Sequence, residues 1–379
     1  MIHNIKTVGL DIWHTCLRER NSMAVKGMDA LLFLTYRCTS RCKTCNMWKR
    51  QSACREQELG WPQWRSILND LHASGVKTVE IFGGDALLRK SVIFDMIRFC
   101  ADHGMKTFFP TNSILLDGET AKQLVDSGLG TIYFSLDDVA AESDMIRGVT
   151  DSFAKVKEAL DNIVSARGQR QTPRIIICTT ISKLNYDHFE RVVEFLSAYP
   201  VAAIYPRPLG EFHQKNIAAS RVNGIPPEPY FVSTEESHLL SDEQIALFRA
   251  TVRRLQANGQ AHRPYINFRA VDMAPDTAFT AGYFGITRCH CCTTFIAVAP
   301  NGDVLTCPFF PHYALGNLTQ EGITKIWGKV NPSHLEFINA QRRGEITICG
   351  NCNMRPYYPT LAETAEYYVK RCERKLLGH

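Results

Sequence analysis

Three thiols at close spacing, Cys38, Cys42 and Cys45, hold the clearest chemistry in this chain. They follow an apolar run, Leu31-Leu-Phe-Leu-Thr-Tyr-Arg, in a Cys-x3-Cys-x2-Cys pattern tight enough to wrap one loop around a cubane iron–sulfur cluster. Three thiolates hold three irons and leave the fourth without a protein ligand, whereas an electron-carrying cubane normally has four. An open iron is a place for chemistry. A structural zinc loop is the plainer alternative, but such zinc sites take four ligands. No nearby His or fourth Cys completes one, since Cys54 comes nine residues after Cys45.

Such a loop needs a rigid support. From residue 29 to about 210, strand-like segments at 30–36, 76–82, 106–111, 131–136, 174–181 and 201–205 alternate with helical ones. The helices are expected at 61–73, 88–103, 119–127, 152–167 and 186–197, each with apolar residues at helical spacing. Six strand–helix repeats imply an α/β fold with a parallel sheet covered by helices. Six are too few to close an eight-stranded barrel, so the expectation is a partial (β/α)6 TIM-like barrel. Chemistry in such folds gathers at the C-terminal ends of the strands. The cysteine loop follows the first strand, Gly83-Gly84-Asp85 the second, Asn112 the third, and Ser135 and Asp137 the fourth. A glycine pair at a strand end lets the backbone approach a ligand closely.

Residues 211–284 break the beat, with a loop at Pro226-Pro-Glu-Pro229 and a Ser241-capped helix to about 257. From 285 onward the chain is Cys-rich. The expected organisation is an N-terminal extension (1–28), the barrel (29–210), a connecting, substrate-facing segment (211–284) and a compact auxiliary module (285–379).

Composition sets the outer bounds. At 379 residues the chain has room for a main domain and a smaller one. Its net charge of +5 is small and scattered, so no nucleic-acid partner is expected. No run approaches the roughly 20 apolar residues of a membrane span. The N-terminus, Met1-Ile-His-Asn-Ile-Lys, has no signal-peptide core, which makes the cytoplasm the default location. Fourteen cysteines without a signal peptide point to metal ligation rather than disulfides. Cys100 and Cys178, within apolar patterns, are expected as small core residues.

The cysteine loop and the ordered strand ends resemble the radical S-adenosylmethionine (radical SAM) superfamily, from residue 29 to about 210. The resemblance implies a [4Fe–4S] cluster on Cys38, Cys42 and Cys45 whose open iron is chelated by the amine and carboxylate of SAM. Gly83-Gly84-Asp85-Ala86 is similar to the superfamily's Gly-Gly-Glu-Pro stretch, which binds the amine. Asn112, Ser135 and Asp137 are similar to the polar strand ends that hold the ribose. Met145-Ile-Arg147-Gly148 resembles the element whose guanidinium pairs with the SAM carboxylate, a task suited to parallel N–H donors. Asp85 and Ala86 depart from the Glu and Pro of the family. Thr44 replaces the usual aromatic residue before the third cysteine, leaving Met47 or Trp48 to supply a surface near adenine. The implied mechanism passes one electron from the reduced cluster into SAM, giving methionine and a 5′-deoxyadenosyl radical that abstracts hydrogen. The protein supplies binding, orientation and exclusion of water. A reducing partner such as flavodoxin or ferredoxin is implied as well.

The C-terminal cysteines read Cys289-His-Cys291-Cys292-x9-Gly302-x4-Cys307, then Cys349-x2-Cys352. Asn301-Gly302 suits a tight hairpin turn. This pattern resembles the SPASM/twitch extensions of radical SAM enzymes and implies an auxiliary [4Fe–4S] cluster. Its ligands would be Cys292, Cys307, Cys349 and Cys352, with Cys289 as the alternative to Cys292 and Cys291 also in reach. A full SPASM domain has further cysteines after the Cys-x2-Cys, and Asn353-Met-Arg-Pro-Tyr-Tyr-Pro contains none, so one auxiliary cluster is expected. A zinc ribbon on Cys289-x2-Cys292 and Cys349-x2-Cys352 would leave Cys307 unused. Ligation by Cys289, Cys292 and Cys307 together would leave an iron open to substrate.

The expected function is hydrogen abstraction from an sp³ carbon of a small organic substrate, with the auxiliary cluster assisting electron transfer or substrate binding. Oxidation, epimerisation and adduct formation stay open as outcomes, as does the catalytic hydrogen donor or acceptor. The alternative is a maturase acting on a peptide or protein. The 28 residues before the first strand are too few for a leader-binding module, which weighs against it. A non-catalytic electron carrier would not need the SAM-binding strand ends. Tyr205, Arg207, Glu211, His213, Tyr283 and His290 lie where substrate groups could be met.

Overall fold

The computed structural model describes residues 2–20, 23–25, 29–50, 58–231, 236–257, 264–285, 289, 291–354 and 359–376. After a first helix, α1 (Ile2–Arg20), strand β1 (Asp29–Phe33) leads into the cysteine loop. Helix α2 (Trp61–Ala73) then returns the chain to β2 (Thr78–Phe82). The unit repeats with α3 (Lys90–Asp102) and β3 (Lys106–Thr111), then α4 (Gly118–Asp126) and β4 (Thr131–Ser135). Two helices, α5 (Ala140–Arg147) and α6 (Ser152–Arg167), precede β5 (Arg174–Ile181). Helix α7 (Phe189–Leu196) precedes β6 (Ala203–Pro208). The helices follow from their patterns: α2 buries Trp64, Ile67, Leu68 and Leu71 on one face and has Pro62 in its first turn. Helix α5 escapes such a reading because it turns only Ser143 and Ile146 inward.

Strands β1 to β6 are parallel neighbours in chain order. Alternate residues point to opposite faces. One set, including Leu32, Ile81, Phe109, Ile132, Phe134 and Ile177, is fully buried in the core shared with the helices. The other set lines the concave side: Phe33 packs edge-on to Phe82, and Tyr133 neighbours Phe108 and Tyr205. Cys178 belongs to this second set. It is buried as expected, but its electrostatic neighbours are Arg207, Glu80, Asp137 and Arg147, so it faces the concave side rather than the helix-covered core.

Beyond β6 come α8 (Gln214–Ala219) and α9 (Asp242–Ala257). Ser241 caps α9 reciprocally: Gln244 N donates to Ser241 Oγ at 3.2 Å and Ser241 N to Gln244 Oε1 at 2.9 Å. Strand β7 (Tyr265–Ile266) pairs with β6, followed by α10 (Arg269–Met273) and α11 (Asp276–Thr280). Helix α12 (Cys291–Thr294) feeds β8 (Phe295–Val298), which lies parallel to β1. Strands β9 (Asp303–Leu305) and β10 (Ala314–Asn317) then add antiparallel. The Cys-rich module therefore extends the barrel sheet, in the order β10-β9-β8-β1-β2-β3-β4-β5-β6-β7. Helices α13 (Ile323–Ile326), α14 (Pro332–Arg342) and α15 (Leu361–Leu376) complete it. Helix α15 packs on α1, where Tyr368 Oη donates to Asp11 Oδ2 at 3.0 Å and Leu361 N to Glu19 Oε1 at 2.9 Å. Among the described residues no helix is long and apolar enough to cross a membrane.

Candidate active site

The cysteine loop is stitched to two strand-end segments. Gly84 N donates to Thr35 O at 3.0 Å and Asp85 N to Arg37 O at 2.8 Å. On the far side Arg41 N donates to Arg147 O at 3.0 Å and Lys43 N to Ile146 O at 2.9 Å. Glycine is required where these backbones meet. A Cβ at Gly84 would stand 2.2 Å from Arg37 O, and one at Gly148 (φ 62°) 2.3 Å from Arg41 O. The backbone that approaches Gly83 and Gly84 is thus the cysteine loop's own.

Glu58, which no sequence pattern singled out, anchors the entrance to the loop. Arg37 donates to it from Nε at 3.1 Å and Nη2 at 2.8 Å, Arg89 Nη1 donates at 2.7 Å, and the Thr35 hydroxyl adds a further bond. Burial opposes ionisation, but the bonds from Arg37 and Thr35 and the two positive charges hold its carboxyl below the usual range.

The expected SAM-side residues converge on the same loop. Asp85 accepts from Thr39 Oγ1 at 2.6 Å and Leu87 N at 3.1 Å. Asn112 Nδ2 donates to Thr39 Oγ1 at 2.9 Å and Ser40 Oγ at 3.0 Å, and reaches Cys38 Sγ at 4.0 Å. Arg147 Nη2 pairs with Asp137 Oδ2 at 2.8 Å, while Nη1 donates to Cys42 Sγ at 3.9 Å. Asp137 Oδ1 accepts from Thr180 N at 2.8 Å, which fixes the pair to β5. Ser135 ends β4 beside Cys178. Burial pushes Cys38 up to about 11 and Cys45 up to about 12, with Cys42 raising both and Cys38 raising Cys45. Burial also raises Cys42, opposed first by the charge of Arg147. Three thiols within mutual reach, with N–H groups of Arg147, Asn112 and Met47 turned toward them, fit a thiolate-held iron–sulfur cluster.

A second nest lies in the C-terminal module. The thiols of Cys291 and Cys292 hydrogen-bond to Cys289 and lower it, while Cys292 also feels Cys349 and Cys307, and Cys291 feels Cys352. All three of Cys289, Cys291 and Cys292 reach the nest, together with Cys307, Cys349 and Cys352. His334 braces it: Nδ1 accepts from Gly328 N at 3.0 Å and Nε2 donates to Cys292 O at 2.7 Å. Among the described residues no three His, Cys, Asp or Glu side chains are set to hold a single metal ion. Cys289, Cys291, Cys292, Cys307, Cys349 and Cys352 influence one another electrostatically, and a set of thiols of this kind fits the four thiolates that a cubane takes. Cys100 is buried among the helices as expected, Cys16 and Cys372 stand apart, and Cys54 and His290 lie outside the described residues.

Beside Cys42 a cleft of about 280 Å³ opens. Its rim is charged and exposed, with Arg41, Lys43, Lys49 and Glu236, and Trp48 lies between Arg41 and Lys49 at 5.2 and 5.3 Å. Of the two aromatic-surface candidates, Trp48 lines the cleft and Met47 is buried beneath it. The floor holds Glu211 and His238, both buried, with His238 N donating to Glu211 Oε2 at 3.0 Å. Glu211 Oε1 and His238 Nδ1 have no partner among the described residues. Burial, then the charge of Lys183, lowers the pKa of His238, so its ring is neutral. Tyr205 instead lines a separate cavity of about 140 Å³ with Asp11 and Arg269. Arg207 faces the concave side near Glu80, while His213 is tied to Ala281 O at 2.9 Å and Tyr283 is exposed. His238 had no sequence signal, because only the fold brings it to Glu211.

Known proteins place this geometry. Residues 32–196 match the radical SAM superfamily and residues 289–353 an iron–sulfur cluster-binding domain, SPASM. The mycofactocin maturase MftC of Mycobacterium ulcerans is 26% identical, over 86% of this chain and 81% of that protein. The AdoMet-dependent heme synthase of Methanosarcina barkeri is 23% identical, over 90% of this chain and 96% of that protein. Streptococcus suis SuiB bound to its precursor peptide SuiA shares the fold, with a TM-score of 0.61 and 16% identity, over 92% of this chain and 75% of that one. Residues 32–196 thus carry a radical SAM domain and residues 289–353 an SPASM domain, and these imply SAM, a SAM-binding [4Fe–4S] cluster and auxiliary iron–sulfur chemistry as cofactors.

Proposed function

We propose that this enzyme modifies a peptide or protein side chain. The small organic substrate expected from the sequence becomes the second reading. The cleft beside Cys42 carries the proposal. Its exposed rim bears both charges and its floor holds two unpartnered polar atoms, a shape that admits one side chain from a longer chain. Its volume of about 280 Å³ is below the usual range for drug-sized ligands and small for the heme that the synthase relative is named for. The maturase relative and the peptide-bound SuiB structure support the same reading.

When bound, SAM and its cluster supply a 5′-deoxyadenosyl radical for abstraction of hydrogen from an sp³ carbon. The chain's own residues bind and orient. In this reading Arg147 holds the SAM carboxylate, Gly83, Gly84 and Asp85 form the wall at its amine, and Asn112, Ser135 and Asp137 meet its ribose. Trp48 shields the adenine side. Glu211 and His238 take hydrogen bonds from the substrate side chain as it enters. The reductant is a flavodoxin- or ferredoxin-type protein, and the enzyme works in the cytoplasm.

The test is tracer transfer. Reconstituted enzyme with SAM and dithionite is given peptide and metabolite fractions from cells grown in deuterated medium. Deuterium should enter 5′-deoxyadenosine from the peptide fraction only, and protease treatment of that fraction should abolish it. Transfer from the metabolite fraction that survives protease would return the function to a small substrate.

A further inference from the structure

The cysteine loop and the C-terminal nest meet through one short segment, residues 228–230. Asn46 N, next to Cys45, donates to Tyr230 O at 2.6 Å. Glu228 N donates to Phe309 O at 2.8 Å, two residues from Cys307. The Tyr230 ring is 7% exposed and lies against Phe231 and Phe309, at centroid distances of 4.6 and 5.1 Å. Cys45 from the loop and Cys307 and Cys352 from the nest pack against the apolar cluster that contains this ring. Burial raises the phenol's pKa strongly, and after Arg50 the groups it feels are Cys45, Cys307 and Cys352. The segment that carries this ring therefore ties the cysteine loop to the C-terminal nest, and cysteines of both groups pack against the ring's own apolar cluster.

Arg50 is unusual for a buried cation. It is 7% exposed, and its guanidinium lies 5.5 Å from the ring centroids of both Tyr36 and Tyr230. Nε pairs with Glu228 Oε1 at 2.9 Å, but Nη1 and Nη2 are buried without hydrogen-bond partners among the described residues. Beyond the Glu228 pair, the two unpartnered Nη groups favour further negative charge nearby, since burying polar groups unsatisfied is costly. Two thiolate-ligated clusters would supply that charge.

We propose that Tyr230, with Arg50 over its ring, is the electron bridge between the SAM-binding cluster and the auxiliary cluster. One electron crosses: the reduced auxiliary cluster loses it and the oxidised SAM-binding cluster gains it. No bond forms or breaks, and no proton is transferred. Tyr230 fills the gap with a conjugated ring, and the Arg50 charge stabilises the more negative, reduced state of its neighbours.

The test follows the auxiliary cluster by electron paramagnetic resonance. Holoenzyme is reduced with dithionite, freed of reductant anaerobically and mixed with SAM, whose cleavage empties the SAM-binding cluster. The reduced auxiliary signal should then decay. In Tyr230→Leu, with iron and sulfide content unchanged, the decay should slow by about tenfold or more, the scale at which residues one layer from a metal act. Tyr230→Phe, which keeps the ring, should decay close to wild type. Decay of Tyr230→Leu at the wild-type rate overturns the proposal. If Tyr230→Leu loses auxiliary iron, Arg50→Met decides: its auxiliary midpoint potential should move to a more negative value in a redox titration. An unmoved potential with wild-type decay overturns the proposal equally.

Discussion

Arg147 combines two tasks on one guanidinium, an ion pair to Asp137 and an N–H toward Cys42. A planar fork can do both while presenting a further edge to a carboxylate; a lysine ammonium cannot. Loss of a hydrogen bond to a charged group costs about 1.5–3 kcal/mol. Arg147→Ala should therefore weaken SAM binding by about tenfold to a hundredfold or more. Calorimetric titration of SAM into reconstituted protein checks this, and wild-type affinity would remove Arg147 from the SAM site. Gly84→Ala should act differently. Its new Cβ meets backbone rather than a movable side chain, so the cysteine loop must shift. Iron at that loop should fall while auxiliary iron stays, and full occupancy of both would contradict the close-approach account. At this scale the sequence was legible where a polar residue followed a strand, as with Asn112 and Asp137, and where Arg147 preceded Gly148 at the end of α5. It was silent for Glu58 and His238, which lie outside any spacing pattern and gain their roles from distant partners.

Helix α14 shows what an element needs in order to hold a cluster. Asn331 caps it, accepting from Ser333 N at 3.0 Å and His334 N at 3.4 Å, and donates to Leu315 O at 2.9 Å and Ile326 O at 2.8 Å. The cap thus fixes the turn that carries His334 to Cys292 O. Asn331→Ala should cost about 2 kcal/mol, the upper end for a cap, because the two carbonyl bonds go with it. It should also lower auxiliary iron content; denaturant unfolding and metal analysis read the two effects, and wild-type values for both would make the cap incidental. The hairpin of β8 and β9 was legible in Asn301-Gly302, where Gly302 has φ 89°. The parallel pairing of β8 with β1 was not, since a contact across some 260 residues leaves no local mark. Helix α1 went unread although Ile5, Val8, Ile12 and Cys16 recur at helical spacing, because apolar Leu10 and Trp13 on its exposed face blur that stripe.

At the scale of the molecule, the sheet's two faces divide the work. The helix side is mostly apolar, broken by buried threonines such as Thr107 and Thr179, and the concave side carries ionisable groups below the cysteine loop. Burial pushes Glu80 there up to about 7, with Arg207 opposing and Asp29 adding to the shift. A carboxyl held above its ordinary 4.5 stays protonated longer in the folded chain than in the unfolded one. Its contribution to stability is full below that value and is lost as pH rises toward about 7, on the order of 3 kcal/mol. Apoprotein should unfold at lower urea concentration at about pH 8 than at about pH 5, and Glu80→Gln should lose that part of the pH dependence. An unchanged pH profile in Glu80→Gln would locate the effect elsewhere. The (β/α) order of the chain was readable from periodicity because each unit is local. The shared sheet that joins barrel and auxiliary module was not, and neither was the link that residues 228–230 make between Asn46 and Phe309.

The central claim is that two separable clusters do different work and that the Cys38/Cys42/Cys45 cluster alone engages SAM. Changing those three cysteines to Ala tests it in one preparation. Iron should fall from about eight to about four per chain, as for loss of one of two cubanes. Formation of 5′-deoxyadenosine from SAM under dithionite should cease. Continued cleavage of SAM by this variant, or its retention of all its iron, would contradict the account.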